Sequence, residues 1–222
     1  LAEFVIGITG ASGSIYGIRL IQELGKRKHD VNVVITYAGK QVMMEELGIS
    51  DKKEILRLLM SFPSRIKVRD KLQRESRKRL DSGSLPGMTN KKDVIRIWEN
   101  DNFEAPFMSG SNAPEAVVII PCSVGKLAAI ANGISGNLLE RIADVALKER
   151  RRLILVVRET PLSLIHLENM VKVARAGAEI LPAMPAFYHH PKTVDDMVNF
   201  IVGKVLNLLR IEHNLFKGWR KE

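Results

Sequence analysis

Short apolar runs alternate along this chain with stretches whose apolar positions recur at helical spacing. Phe4–Thr9, Val31–Thr36, Ala116–Pro121 and Leu153–Val157 are nearly continuous in Val, Ile, Leu and Phe. Runs this short and this β-branched predict strands buried on both faces. Val94–Trp98 and Glu179–Pro182 are weaker strand candidates. Between them, Tyr16–Lys28 puts Ile18, Leu20, Ile21 and Leu24 on an apolar helical face. Helices are also predicted at Gln41–Leu47, Lys52–Met60 (with Asp51 as N-cap), Ser123–Asn132, Leu138–Arg150, Leu162–Ala176 and Val194–Leu209. No hairpin signal joins the strands. The pattern predicts an α/β fold, a single doubly wound, Rossmann-like domain over residues 1–222. Its sheet is mainly parallel, with helices on both faces.

Composition changes this picture little. The chain has 222 residues, 45% of them hydrophobic, which suits one globular core. No stretch approaches the roughly 18 apolar residues of a membrane span. The first residues lack a basic leader and a cleavage pattern, so they read as a strand and not as a signal peptide. Cys122 is the single cysteine, which excludes an internal disulfide framework and fits a reducing cytoplasm. The net charge is +9, but ten Lys/Arg against three Asp/Glu between Arg65 and Lys92 account for +7 of it. That segment holds no aromatic residue to stack on a base. A solvated insert or loop at about 64–95 is expected, and no nucleic-acid or membrane partner.

In a parallel sheet, ligands bind beyond the carboxyl ends of the strands. The first such end reads Thr9-Gly10-Ala11-Ser12-Gly13-Ser14, a glycine turn into a helix that could carry an anion. Its spacing is not that of the dinucleotide fingerprint. The second end, at Thr36, has no Asp or Glu for a ribose diol, which favours a mononucleotide over NAD. The third is Pro121-Cys122-Ser123-Val124-Gly125-Lys126, and the fourth Val157-Arg158-Glu159-Thr160-Pro161. Cys122 is expected to be buried and not nucleophilic. His189 and His190 are adjacent and point apart, with no evident third ligand, so no metal is expected.

Three segments carry a family resemblance: GITGASGSIYG, PCSVGKLAAIANGISGNLLERIADVALKERRRLILVVRETPLSLIHLENM and ILPAMPAFYHHP. They resemble the flavin prenyltransferase (UbiX-type) family over about residues 4–60 and 99–219. The resemblance implies a flavoprotein-type fold that binds reduced FMN and dimethylallyl phosphate. It implies transfer of the dimethylallyl group to flavin N5 and C6 without a metal, and delivery of prenylated FMN to a UbiD-type decarboxylase. A homo-oligomer, up to a dodecamer, is also implied.

Carried over residue by residue, the resemblance gives Gly10, Ala11, Ser12, Thr36, Ser123, Val124, Gly125, Lys126 and Arg158 to the cofactor. Arg141, Lys148, Tyr188 and Lys204 fall to the prenyl phosphate, and Ser12, Glu46 and Glu159 to catalysis. Trp219 matches an aromatic that covers the site. Lys126 stands where the family commonly has a small hydroxyl residue, and Lys204 where it often has an arginine. Lysine keeps the charge at 204 but lacks the bidentate fork. The competing reading on the same fold is an FMN-dependent decarboxylase of the peptidyl-cysteine type.

Overall fold

The computed structural model describes residues 2–48, 54, 55, 58, 65–68 and 94–218. The elements run β1 (Glu3–Ile8), α1 (Ser14–Lys26), β2 (Asp30–Ile35), α2 (Tyr37–Leu47), β3 (Arg65–Val68) and β4 (Val94–Glu99). They continue with β5 (Ala116–Cys122), α3 (Val124–Ala131), α4 (Leu138–Lys148), β6 (Arg152–Val157), α5 (Leu164–Arg175), β7 (Glu179–Ile180) and α6 (Val194–Leu208). Two 3-10 turns, Pro106–Met108 and Gly110–Asn112, precede β5.

The seven strands form one sheet in the order β3-β4-β2-β1-β5-β6-β7, and every pairing is parallel. From β1 the chain winds outward through β2, and it returns at β5 to wind the other way. The order therefore reverses between β1 and β5, and a crevice opens at their carboxyl ends.

Side-chain alternation explains the continuous apolar runs. Ile6, Ile8, Val33, Ile35, Val118 and Ile120 face one core with α1, α2 and α6. Val5, Val34, Val117, Ile119, Leu153 and Leu155 face the other with α3, α4 and α5. Both faces are buried, so no polar alternation survives in the central strands. Helix α4 lies directly on β1, where a Cβ added to Gly7 would meet Leu139 Cδ1 at 2.5 Å. Among the described residues, no helix is long and apolar enough to cross a membrane.

Two elements differ from the sequence expectation. Helix α2 starts at Tyr37 and not at Gln41, because the Thr36 hydroxyl accepts the Gly39 N–H at 3.1 Å and caps the helix there. Strand β3 lies inside the segment expected as a loop, at the sheet edge beside β4. The helix expected at Lys52–Met60 and the rest of the basic segment fall largely outside the described residues.

Candidate active site at the strand switch point

Three helix N-termini converge on the crevice. Helix α1 begins after Gly13, which is left-handed at φ 105°, a conformation open to glycine at little cost. Helix α2 begins at the Thr36 cap, and α3 at Ser123, whose hydroxyl accepts the Lys126 N–H. Each start leaves unpaired N–H groups and a partial positive charge aimed at the same space. Gly10 lies so close to α2 that a Cβ there would meet Ala38 Cβ at 2.6 Å. Ser12 and Gly10 are exposed, and Ala11 is buried beneath them. At Gly125, in the first turn of α3, an added Cβ would meet only open space.

One hydroxyl ties two of these turns together. Thr9 Oγ1 donates to the Pro121 carbonyl at 2.7 Å and accepts the Ser123 N–H at 2.8 Å. One carboxylate holds the first of these turns from the end of α2. Glu46, at the end of α2, accepts the Gly13 N–H at 2.8 Å, the Ser14 N–H at 2.9 Å and the Ser14 hydroxyl at 2.9 Å. Burial pushes the Glu46 carboxyl up, but hydrogen bonds from Ser12, Gly13 and Ser14 outweigh it and hold the group below its ordinary value.

Arg158 follows β6 at the same end of the sheet, with its backbone N–H bonded to the Cys122 carbonyl. Its Nε is buried and, among the described residues, has no hydrogen-bond partner. A buried guanidinium N–H left unpaired is costly, and it marks where an acceptor on a ligand belongs. Glu159 is half-buried next to it, with Oε1 accepting the Thr160 N–H at 3.0 Å. Tyr16, in the first turn of α1, feels both charged groups. Burial raises its hydroxyl pKa, the Arg158 charge lowers it, and the Glu46 charge raises it.

Lys126 is placed differently from the expectation. Its side chain is only 13% exposed and its ammonium bonds Glu140 Oε1 at 2.5 Å, so it locks α3 to α4 and is not free for a ligand. Only its backbone N–H faces the Ser123 cap. Cys122 is fully buried at the end of β5, and burial pushes its thiol up to about 12.

The residues given to the prenyl phosphate do not meet in one chain. Arg141 and Lys148 lie two turns apart on the outer side of α4, paired with Asp144 and Glu149. Lys148 reaches Gly110, ahead of the start of β5, at the end of the sheet opposite Gly10. Tyr188 lies across the sheet from α4, packed edge-on to Phe200 of α6 with centroids 5.8 Å apart. Lys204 follows Phe200 by one helical turn and is exposed. Trp219 lies outside the described residues. His189 stacks on Phe200 at 5.1 Å. Among the described residues, no three His, Cys, Asp or Glu side chains are grouped to hold a metal.

Thr9, Ser14 and Tyr16 complete the site, but the sequence assigned none of them a role of its own. Only Thr9 carried a signal, as a hydroxyl closing an otherwise apolar strand. Two hydroxyl-capped helix starts, a glycine turn pinned by Glu46 at the third and an unpaired guanidinium define an α/β protein built for a phosphate-bearing mononucleotide.

Comparison with known proteins narrows the class. The flavoprotein family model matches residues 2–206. The flavin prenyltransferase UbiX of Halalkalibacterium halodurans is 48% identical, covering 99% of this chain and 94% of its own length. The crystal structure of AnUbiX (PadA1), solved with FMN and dimethylallyl pyrophosphate, superposes with a TM-score of 0.79 at 31% identity. It covers 100% of this chain and 98% of that one. A dodecameric FMN-dependent UbiX-like decarboxylase from Escherichia coli O157:H7 gives 0.78 at 32% identity, over 99% and 100% of the chains. The cysteine decarboxylase TvaF, at 15% identity and a TM-score of 0.53, shares the fold alone. The chain belongs to the flavin prenyltransferase family.

Proposed function

We propose that the protein transfers a dimethylallyl group from dimethylallyl phosphate to N5 and C6 of reduced FMN, and that the prenylated FMN serves a UbiD-type decarboxylase. The observation that carries this is the buried, unpartnered Arg158 Nε beside a pinned glycine turn, in a chain 48% identical to a flavin prenyltransferase. The peptidyl-cysteine decarboxylase reading has only a shared fold behind it.

The cofactor fits the residues present. The N–H groups of Gly10, Ala11 and Ser12 and of Val124 and Gly125 would hold it, with Thr36, Ser123 and the Lys126 backbone beside them and Arg158 supplying the unused donor. Reduced FMN supplies the nucleophilic ring positions that accept the five-carbon group. Glu46 has its oxygens committed to Gly13 and Ser14, so its work is to hold the turn and keep a negative charge near the ring. Glu159 has one oxygen bonded to Thr160 and the other available to take a proton at the reacting centre.

When the donor's C–O bond breaks, the electron pair leaves on the phosphate. Arg141, Lys148, Tyr188 and Lys204 are suited to stabilise that anion in place of a metal. The sheet separates α4 from Tyr188 and Lys204, so the clamp needs more than one copy of the chain. A homo-oligomer, with a dodecamer as the favoured form, supplies it. The exposed apolar face of α5, with Leu164, Ile165, Leu167 and Val171, is the natural surface for such contacts. We also read residues 1–222 as one flavoprotein domain, with the segment at 64–95 inserted before β4, working in the cytoplasm.

The test is anaerobic incubation with reduced FMN and dimethylallyl phosphate, then mass spectrometry of the extracted flavin. A gain of one C5 unit is expected, lost in Arg141→Ala and in Glu159→Gln. Oligomers assembled from a mixture of those two inactive variants should recover part of the activity, because intact halves meet at some interfaces. Unmodified flavin with both mono- and diphosphate donors would overturn the proposal.

A further inference from the structure

At the end of the sheet opposite the cofactor crevice lies a cavity of about 670 Å³. That volume suits a small-molecule ligand. Among the described residues its walls carry Arg150, Arg151, Arg152 and Arg210 against a single carboxylate, Glu115. Leu147 and Leu209 add an apolar wall. The cavity sits where α4 and α6 end and where β6 begins.

Arginines after helix ends have an ordinary use, since a cation there complements the helix dipole. Arg152 serves in that way: it bonds the Leu208 carbonyl at the end of α6, and its Nε pairs with Glu179 at 2.8 Å. The other three are not spent. Arg150, Arg151 and Arg210 have no side-chain hydrogen bond or ion pair among the described residues. Three unspent guanidinium groups against Glu115 leave an excess of about two positive charges on one walled cavity.

The backbone adds a second observation. Arg150 and Arg210 both have left-handed conformations, with φ of 53° and 58°. Glycine fits such positions after a helix, and long side chains rarely occupy them. Arginine stands at both, one beyond α4 and one beyond α6, and both line the same cavity. Neither position touches the cofactor crevice.

We propose that this cavity is a second anion site that binds a phosphate-bearing metabolite. Its two or more negative charges would meet the forks of Arg150, Arg151 and Arg210, and its less polar part the Leu147 and Leu209 wall. Arginine's planar fork accepts phosphate oxygens in pairs, which lysine cannot match.

Protein saturated with oxidised FMN and dimethylallyl phosphate, so that the crevice and the prenyl-phosphate clamp are both filled, is titrated calorimetrically with inorganic pyrophosphate and with ADP. One binding event per chain is expected, weakening as salt rises. In the double variant Arg150→Gly/Arg210→Gly the affinity should fall at least about tenfold. Its melting temperature should hold or rise, since glycine fits both backbone positions, and FMN affinity should not change. Arg151→Gln, at an exposed and unpaired side chain, should weaken binding independently. Equal affinity for the two probes would assign the site to the phosphate group itself, and tighter ADP to nucleotides; either supports the site. No binding of either probe, or binding unaltered in both variants, would overturn it.

Discussion

Glu46 offers a direct measure of how the cofactor turn is held. Replacing it with Gln keeps the size and one acceptor oxygen but turns the other into an NH2 group that cannot accept. The carboxylate receives the Gly13 N–H at both oxygens, 2.8 and 3.1 Å away, and Ser14 through Oε2 alone. With its oxygen in the Oε2 place the amide keeps Ser14 and the longer Gly13 contact, but its NH2 then faces the Gly13 N–H that Oε1 accepted at 2.8 Å. The loss is about one charge-assisted hydrogen bond, roughly 1.5–3 kcal/mol in a buried setting. Because the side chain is partly open to water, about 1–2 kcal/mol is the better expectation. For a chain of this length that is roughly 2–8 °C in Tm.

The pH dependence of that difference follows from the depressed carboxyl pKa. The unfolded group titrates near ~4.3, and the folded one lower. The stabilisation is therefore fully present above the unfolded value and is lost as pH falls through the folded value. Thermal melts of wild type and Glu46→Gln without FMN, from neutral pH down to about pH 3, check this. The gap should be widest near neutrality and should narrow in acid, as the wild-type carboxyl also becomes neutral. A gap that stays constant with pH, or no gap at neutral pH, would refute the account of the turn.

Three further outcomes follow from the packing. Lys126→Ala leaves the Glu140 carboxylate without its counter-ion at 9% side-chain exposure, bonded still to the Gly136 N–H, and should cost about 2–3 kcal/mol in denaturant melts. Native Cys122, fully buried with its thiol raised to about 12, should not react with a chromogenic disulfide reagent near pH 8, and should react fully once the chain is unfolded. Leu164→Asp/Leu167→Asp places two charges on the exposed apolar face of α5 and should reduce the oligomer size seen by light scattering, with little change in helix content by circular dichroism.

The central sheet was legible because β1, β2, β5 and β6 are buried on both sides and so read as unbroken apolar runs. Strand β3 was not, since Arg65-Ile66-Lys67-Val68 alternates and belongs to the edge, in a segment whose charge suggested a loop. The start of α2 was hidden for a similar reason. Its first turn, Tyr37-Ala38-Gly39-Lys40, has no apolar periodicity and is set by the Thr36 cap.

At the site, the glycine turn and the Arg158 position were visible as breaks after apolar strands. The 32-residue separation of Ser14 from Glu46 was not, because a carboxylate bonding backbone N–H groups places no constraint on the residues that carry them. Lys126 misled in the opposite way. Its place in the loop was right, but its ammonium is claimed by Glu140, a partner fourteen residues away on the next helix. Arg141 and Lys148 show a further limit. Under the proposed function their contribution depends on which copy of the chain delivers them, and a sequence does not reveal that.

The Thr9 hydroxyl, shared between the Pro121 carbonyl and the Ser123 N–H, has a consequence for kinetics. Two turns that hinge on a single atom cannot drift apart without breaking both bonds, so their freedom is given up when the chain folds and not when a ligand arrives. Cofactor capture should then resemble docking into a finished mould: a single exponential in stopped-flow fluorescence, with an observed rate that climbs linearly with flavin concentration and shows no plateau from a slow rearrangement.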